Sequence, residues 1–212
     1  MDLDSGTIVI DGIDVSTVPH EHVRSRIAAV PQESYILNGT VRLNVDPTGA
    51  VTDEELVRVL QTVQLWNKIE QRGGLDAVIH EKFFSHGETQ LLVFARAMVR
   101  KSRVLLLDEP NSKYGRPPCP THRVFLTNSC AGSLDEEASA IIQTVLRSWF
   151  KDWTVIAIVH KLEAIVDFDR VAVLDEGKLI EYDNPRRLLE QHGAFKRLYD
   201  LSSPLDDSGS AE

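Results

Sequence analysis

Cysteine is scarce: the 212 residues hold two, Cys119 and Cys130, both inside one stretch. Two thiols cannot make the disulfide framework of a small secreted domain, so a reduced, cytosolic setting is the default. Positive charge is in deficit as well. Against 32 Asp and Glu stand 23 Lys and Arg, a net charge of −9, which excludes the basic footprint that a nucleic-acid-binding face requires. Long apolar runs are missing; TVIAIV at 154–159 is about the longest and falls well short of the ~20 residues that span a bilayer. The opening residues MDLDSGT are neither basic nor apolar and do not read as an export signal. What is present, 42% hydrophobic and 26% charged residues, describes a soluble globular chain of one domain's length. Such a chain buries roughly 70% of its unfolded surface.

Strand and helix signals alternate along it. TIVIDG (7–12) is a β-branched run closed by the turn pair Asp-Gly, and RIAAVPQ (26–32) ends at a proline that a central strand cannot contain. Thr52 with Glu55 is a capping box that opens a helix whose Leu56, Val59, Leu60 and Val63 share a face. Ser85 with Glu88 opens another. VLLL (104–107) and TVIAIV are continuous apolar runs, expected for strands covered on both faces. RVAVLDEGKLIEY (170–182) reads as a hairpin turning at Glu176-Gly177. Asn184-Pro185 then begins a single last helix that runs to about Leu201. The remaining polar, acidic residues, about 202–212, are expected to be unstructured. This alternation predicts an α/β domain with a largely parallel sheet.

Ligands of open α/β sheets bind beyond the carboxyl ends of the strands. Three such ends carry polar residues: Gln32 after AAVP, Asp108-Glu109 after VLLL, and His160 after TVIAIV. Neighbouring strand residues point to opposite faces, so the two acids cannot share one task. One suits a Mg²⁺ ion bound to phosphate oxygens, and the other suits the orientation or deprotonation of a water. FSHGETQ (84–90) adds a helix N-terminus preceded by Ser and Gly, where orphan N–H groups favour an anion. Each signal has a plainer reading when taken alone. An acidic pair often ends a strand as a cap or turn, a histidine there is often structural, and Ser-x-x-Glu is commonly only a cap. Joint order and spacing override these readings.

That order resembles the ATP-binding cassette (ABC) ATPases over nearly the whole chain. VPQ resembles the Q-loop, FSHGE the signature motif LSGGQ or LSxGQ, RVLLLDEP the Walker B strand, SLD (133–135) the D-loop and IVHK the switch histidine. The resemblance extends to the second nucleotide-binding domain of multidrug-resistance-associated exporters, the C subfamily. It implies a P-loop NTPase core of RecA-like α/β type with a parallel sheet, and a helical subdomain at about 48–100. ATP and Mg²⁺ are the implied cofactors. Asp108 and Gln32 are then expected at the metal, with Glu109 as general base and His160 as the switch. Ser85 and Gly87 would meet nucleotide held by a partner domain, and Asp135 would link the two sites. The implied partners are a second nucleotide-binding domain and transmembrane domains, with indirect membrane contact at the cytoplasmic face and no nucleic acid.

Four departures stand out. Phe84 and Glu88 replace the family's usual Leu and Gln, and an acid at 88 is expected to weaken nucleotide sandwiching by like charge. Pro110 replaces the usual Ala. No G-x-x-x-x-G-K-[ST] phosphate-binding loop occurs in these residues. The chain is therefore expected to be an N-terminally incomplete cassette, inactive alone, with apolar sheet surface exposed. The alternative is a non-catalytic fragment serving as a dimerisation or regulatory module. Residues 112–132 are a further anomaly, since DEPN and SLDEE join in the family's style when they are removed. Ser-Lys-Tyr can be encoded with a donor-like GTAAGT, and Ala-Gly with an acceptor-like CAG. The segment therefore resembles a short intron translated in frame, against the alternative of a genuine inserted loop.

Overall fold

The β-branched run near the N-terminus forms a hairpin in which β1 (Val9–Ile10) pairs antiparallel with β2 (Ile13–Asp14). Its turn residues Asp11 and Gly12 have φ of 50° and 79°, the doubly left-handed geometry that matches strand twist and that Asp-Gly tolerates. The computed structural model describes residues 5–80, 82–108, 136–158 and 162–202. They divide into two compact units, the first drawn from residues 5–108 and 136–157, the second from 158–202.

In the first unit, α1 (His20–Arg26) leads into β3 (Ile27–Val30). The short β4 (Gly39–Thr40) runs directly into α2 (Val41–Val45) and pairs antiparallel with β5 (Val78–Ile79). Between them lie α3 (Asp53–Thr62) and α4 (Trp66–Glu70). Thr52 caps α3, its Oγ1 accepting the Glu55 N–H at 3.4 Å, and Leu56, Val59 and Leu60 are the buried face that the periodicity predicts. The long α5 (His86–Met98) precedes β6 (Val104–Asp108), and α6 (Glu136–Ser148) precedes β7 (Thr154–Ile158).

The central sheet has the order β3-β6-β7. β3 and β6 are parallel, with Ile27 opposite Val104 and Val30 opposite Leu107, so the fold is α/β with a parallel sheet as expected. Residues two apart share a face. Ala28, Val30, Leu105 and Leu107 thus join Leu92 and Phe94 of α5 and Ile142 and Val145 of α6 in one core. Both helices cover the same face. On the other face Leu106 and Ile156 are 37% and 57% exposed, so the expectation that these strands are covered on both faces does not hold for the described residues. Apolar sheet surface is thus exposed on that face among the described residues.

The second unit is built on β8 (Val171–Asp175) and β9 (Lys178–Asp183), antiparallel about Glu176 and Gly177 at φ 46° and 77°. Asn184 caps α7 (Pro185–Glu190), its Oδ1 accepting the Arg186 N–H at 3.0 Å. The single last helix expected from the sequence is two. Gln191 is extended, at φ −91° and ψ 148°, and α8 (Ala194–Ser202) starts anew. Gly193 lies in the break, and its lack of a Cβ leaves room for an acid from a neighbouring strand. The Glu181 carboxylate on β9 accepts the N–H groups of Ala194 at 2.5 Å and Phe195 at 3.0 Å, giving the new N-terminus its own anion. Phe195 then buries with Leu162, Ile165, Val171, Val173 and Leu188.

Candidate functional site

Parallel pairing brings two of the expected residues to one edge. Asp108 ends β6, and Gln32 follows β3 by two residues. With Val30 opposite Leu107, both lie at the carboxyl ends of adjacent strands, and both are exposed. A carboxylate and an amide oxygen are the hard donors a Mg²⁺ ion accepts, and that ion needs only one or two protein ligands when phosphates and waters supply the rest. The described residues contain no cluster of three or more His, Cys, Asp or Glu, so Asp108 and Gln32 fit such an ion but do not form a closed cage. The apolar pocket lined by Ile10, Val18, Val23, Ile27 and Val104 lies at the opposite ends of the same strands and has no part in this edge.

The segment after Gln32 is held by a polar knot beneath it. Asn44 of α2 is fully buried; its Oδ1 accepts the Leu37 N–H at 2.7 Å, and its Nδ2 donates to the carbonyls of Leu37 at 2.9 Å and Thr40 at 3.0 Å. Arg96 reaches the same knot from α5, donating Nε–H to the Asn44 carbonyl at 2.7 Å and lying 4.9 Å from the centre of the Tyr35 ring. A second donation, 3.3 Å, goes to the Tyr35 carbonyl. Burial lowers the guanidinium's pKa, with Tyr35 pulling the other way, yet an arginine stays charged in such surroundings. Neither Asn44 nor Arg96 was among the residues singled out from the sequence. For Arg96 the available signal was a lone charged residue in the otherwise apolar stretch LLVFARAM; Asn44, in VRLNV beside Arg42, carried no such signal.

At the start of α5, Ser85 and Glu88 form the reciprocal capping box expected of them. The Glu88 N–H donates to Ser85 Oγ at 3.1 Å, and the Ser85 N–H donates to Glu88 Oε2 at 2.6 Å. Gly87 is buried and Ser85 exposed. The same Glu88 oxygen lies 2.5 Å from Lys68 Nζ on α4. Burial pushes the Glu88 carboxyl up, but Lys68 and the Ser85 backbone outweigh it and hold the pKa below the usual carboxylate range. Lys68 also lies 5.8 Å from the centre of the Phe84 ring. Lys68 was missed because its partner is 20 residues away in sequence. One turn into the helix the side chain of Gln90 is buried; its Nε2 is 3.4 Å from His86 Nε2, and its Oε1 has no hydrogen-bond partner among the described residues.

Gln32 and Asp108 therefore lie at the same sheet edge, and Ser85 and Gly87 at the start of one helix. Glu109, Asp135 and His160, together with Pro110 and residues 112–132, lie outside the described residues.

The family profile described as "ABC transporter" matches residues 1–112. Among curated proteins, the "ABC multidrug transporter lscH" of Purpureocillium lilacinum is 51% identical over 212 aligned residues, covering 94% of this chain and 12% of that protein. The "ABC multidrug transporter B" of Aspergillus fumigatus is 37% identical over 206 residues, 97% of this chain and 13% of that one. The "ABC transporter C family member 8" of Dictyostelium discoideum is 38% identical over 193 residues, 90% and 11% respectively. The chain thus spans about an eighth of the length of these relatives.

Proposed function

The chain belongs to the ABC transporter family, and from that premise we propose that it is part of a nucleotide-binding domain of a C-subfamily exporter. In this reading it is the second such domain, coupling ATP binding and hydrolysis to the movement of a solute through transmembrane domains carried elsewhere in a longer protein. The observation that supports the reading is the parallel β3–β6 register, in which the strands leading to Gln32 and Asp108 end at the same carboxyl edge. Domains of this family bind ATP, typically with Mg²⁺. Asp108 and Gln32 would hold the metal, which screens phosphate charge when bound. Glu109 takes the proton from the attacking water, and His160 donates a hydrogen bond to the terminal phosphate. Ser85 and the N–H groups near Gly87 face nucleotide held by a second domain, and Asp135 sits between the two sites. Residues from about 48 to 100 form the helical subdomain, and 112–132 are an insertion, in keeping with a family match that stops at residue 112. In this reading, contact with the bilayer runs through partners at its cytoplasmic face; among the described residues no helix is long and apolar enough to cross a membrane.

These residues hold no phosphate-binding loop, so the 212-residue chain alone is expected to show no Mg²⁺-dependent ATP hydrolysis above a Glu109→Gln control. Joining an upstream strand and phosphate loop from a relative should create hydrolysis that Glu109→Gln removes. Hydrolysis by the unextended chain above that control, or an extended chain indifferent to Glu109→Gln, would overturn the reading.

A further inference from the structure

Both positions at which the α5 turn departs from the family pattern, Phe84 and Glu88, meet one residue from another helix. Lys68 Nζ is 2.5 Å from Glu88 Oε2 and 5.8 Å from the centre of the Phe84 ring. The ammonium therefore gains a carboxylate and an aromatic face at once. The Lys68 and Glu88 side chains are 32% and 28% exposed, so solvent screens the pair only partly. The carboxylate oxygen that Lys68 holds is also the one that accepts the Ser85 N–H at 2.6 Å, and this fixes its direction, back over the first turn and toward α4.

We propose that Lys68 is a positioning and charge-compensating residue for the nucleotide-facing turn of α5, holding the Glu88 carboxylate away from the terminal phosphate that Ser85 and Gly87 meet. This rests on the reading of that turn given above. The physical need is direct. The N-terminal end of a helix attracts phosphate through orphan N–H groups and the helix dipole. A carboxylate in its first turn cancels that attraction unless its charge is neutralised locally. The family's usual Gln makes no such demand; Glu88 does, and Lys68 answers it. Burial opposes ionisation, but the paired ammonium and the Ser85 backbone N–H outweigh it and leave Glu88 ionised at neutral pH, so the compensation is needed under working conditions. The consequence is a conditional role: Lys68 matters to nucleotide only while residue 88 is acidic.

The test measures ATP-dependent association of the 212-residue chain with a nucleotide-binding domain from a relative, one that carries an intact phosphate loop and is blocked in hydrolysis. The variants are Lys68→Met, Glu88→Gln and the two combined. Lys68→Met is expected to raise the half-maximal ATP concentration about 10-fold, since an uncompensated like charge faces the phosphate. The double variant should return to within about 2-fold of the parent chain, and Lys68→Arg should retain association. Raising ionic strength to about 1 M should narrow the gap between Lys68→Met and the parent, because screening acts on charge and not on packing. Circular dichroism of each variant separates misfolding from this effect. If the parent associates and Lys68→Met matches it, the inference falls while the reading of the turn stands. If Lys68→Met and the double variant are equally impaired and salt leaves the gap unchanged, Lys68 is only structural and the inference falls. If the parent itself does not associate, the reading of the turn falls and takes the inference with it.

Discussion

Asn44→Ala removes the side chain that ties the segment after Gln32 to α2. Three hydrogen bonds go at once, one from the Leu37 N–H and two to the Leu37 and Thr40 carbonyls, and Arg96 loses a nearby acceptor at 3.3 Å. At about 1 kcal/mol net per bond, with a further penalty for groups left buried and unpaired, the cost is about 3–4 kcal/mol. That is a large share of the roughly 5–15 kcal/mol by which domains are stable. Urea unfolding followed by circular dichroism should show the midpoint falling by about 1.5–2 M, at a slope of about 2 kcal/mol/M that the substitution leaves unchanged. Asn44→Asp should fall between the two proteins. It keeps an acceptor for the Leu37 N–H and sits near the Arg96 guanidinium, but it turns a carboxylate on two carbonyl oxygens. Hydrogen exchange gives a local check, since the Leu37 amide should lose protection in Asn44→Ala ahead of the core amides of β6. A loss below about 1 kcal/mol, or a change in slope with no shift of midpoint, would refute the claim that Asn44 organises this segment.

Two further outcomes follow from caps. The Glu88 pKa lies below the ordinary glutamate value, so its stabilising contribution is fully present above about pH 4.3 and is lost as pH falls through the folded-state value. The difference in unfolding free energy between the parent and Glu88→Gln should therefore be flat from pH 7 to about 5 and shrink below that; a difference that grows on acidification would contradict it. In the second unit, a Cβ at Gly193 would lie 2.2 Å from Glu181 Oε1. Gly193→Ala should then displace the carboxylate that caps α8 and cost about 1–2 kcal/mol, read as a lowered melting temperature. Glu181→Ala should lower it similarly, and the two together by little more than either alone.

The elements that the sequence announces are those whose causes are local. Thr52 and Ser85 each have their capping partner three residues on, Asp11-Gly12 and Glu176-Gly177 carry their turn geometry in their own backbone, which the glycine's missing Cβ permits, and the apolar period of α3 fixes its buried face. The order of motifs likewise brings Gln32 and Asp108 to notice before any strand is paired. Tertiary structure decided whatever depends on residues far apart in the chain. Glu181 splits the last helix by supplying an anion from a neighbouring strand. Asn44 and Arg96, 52 residues apart, meet only because α2 and α5 pack together. Lys68 turns the acid at 88 from an apparent liability into half of an ion pair. Propensities, caps and turns act within a few residues and can be read in order, whereas charge compensation and burial depend on distance in space, which the chain sets only once it has folded.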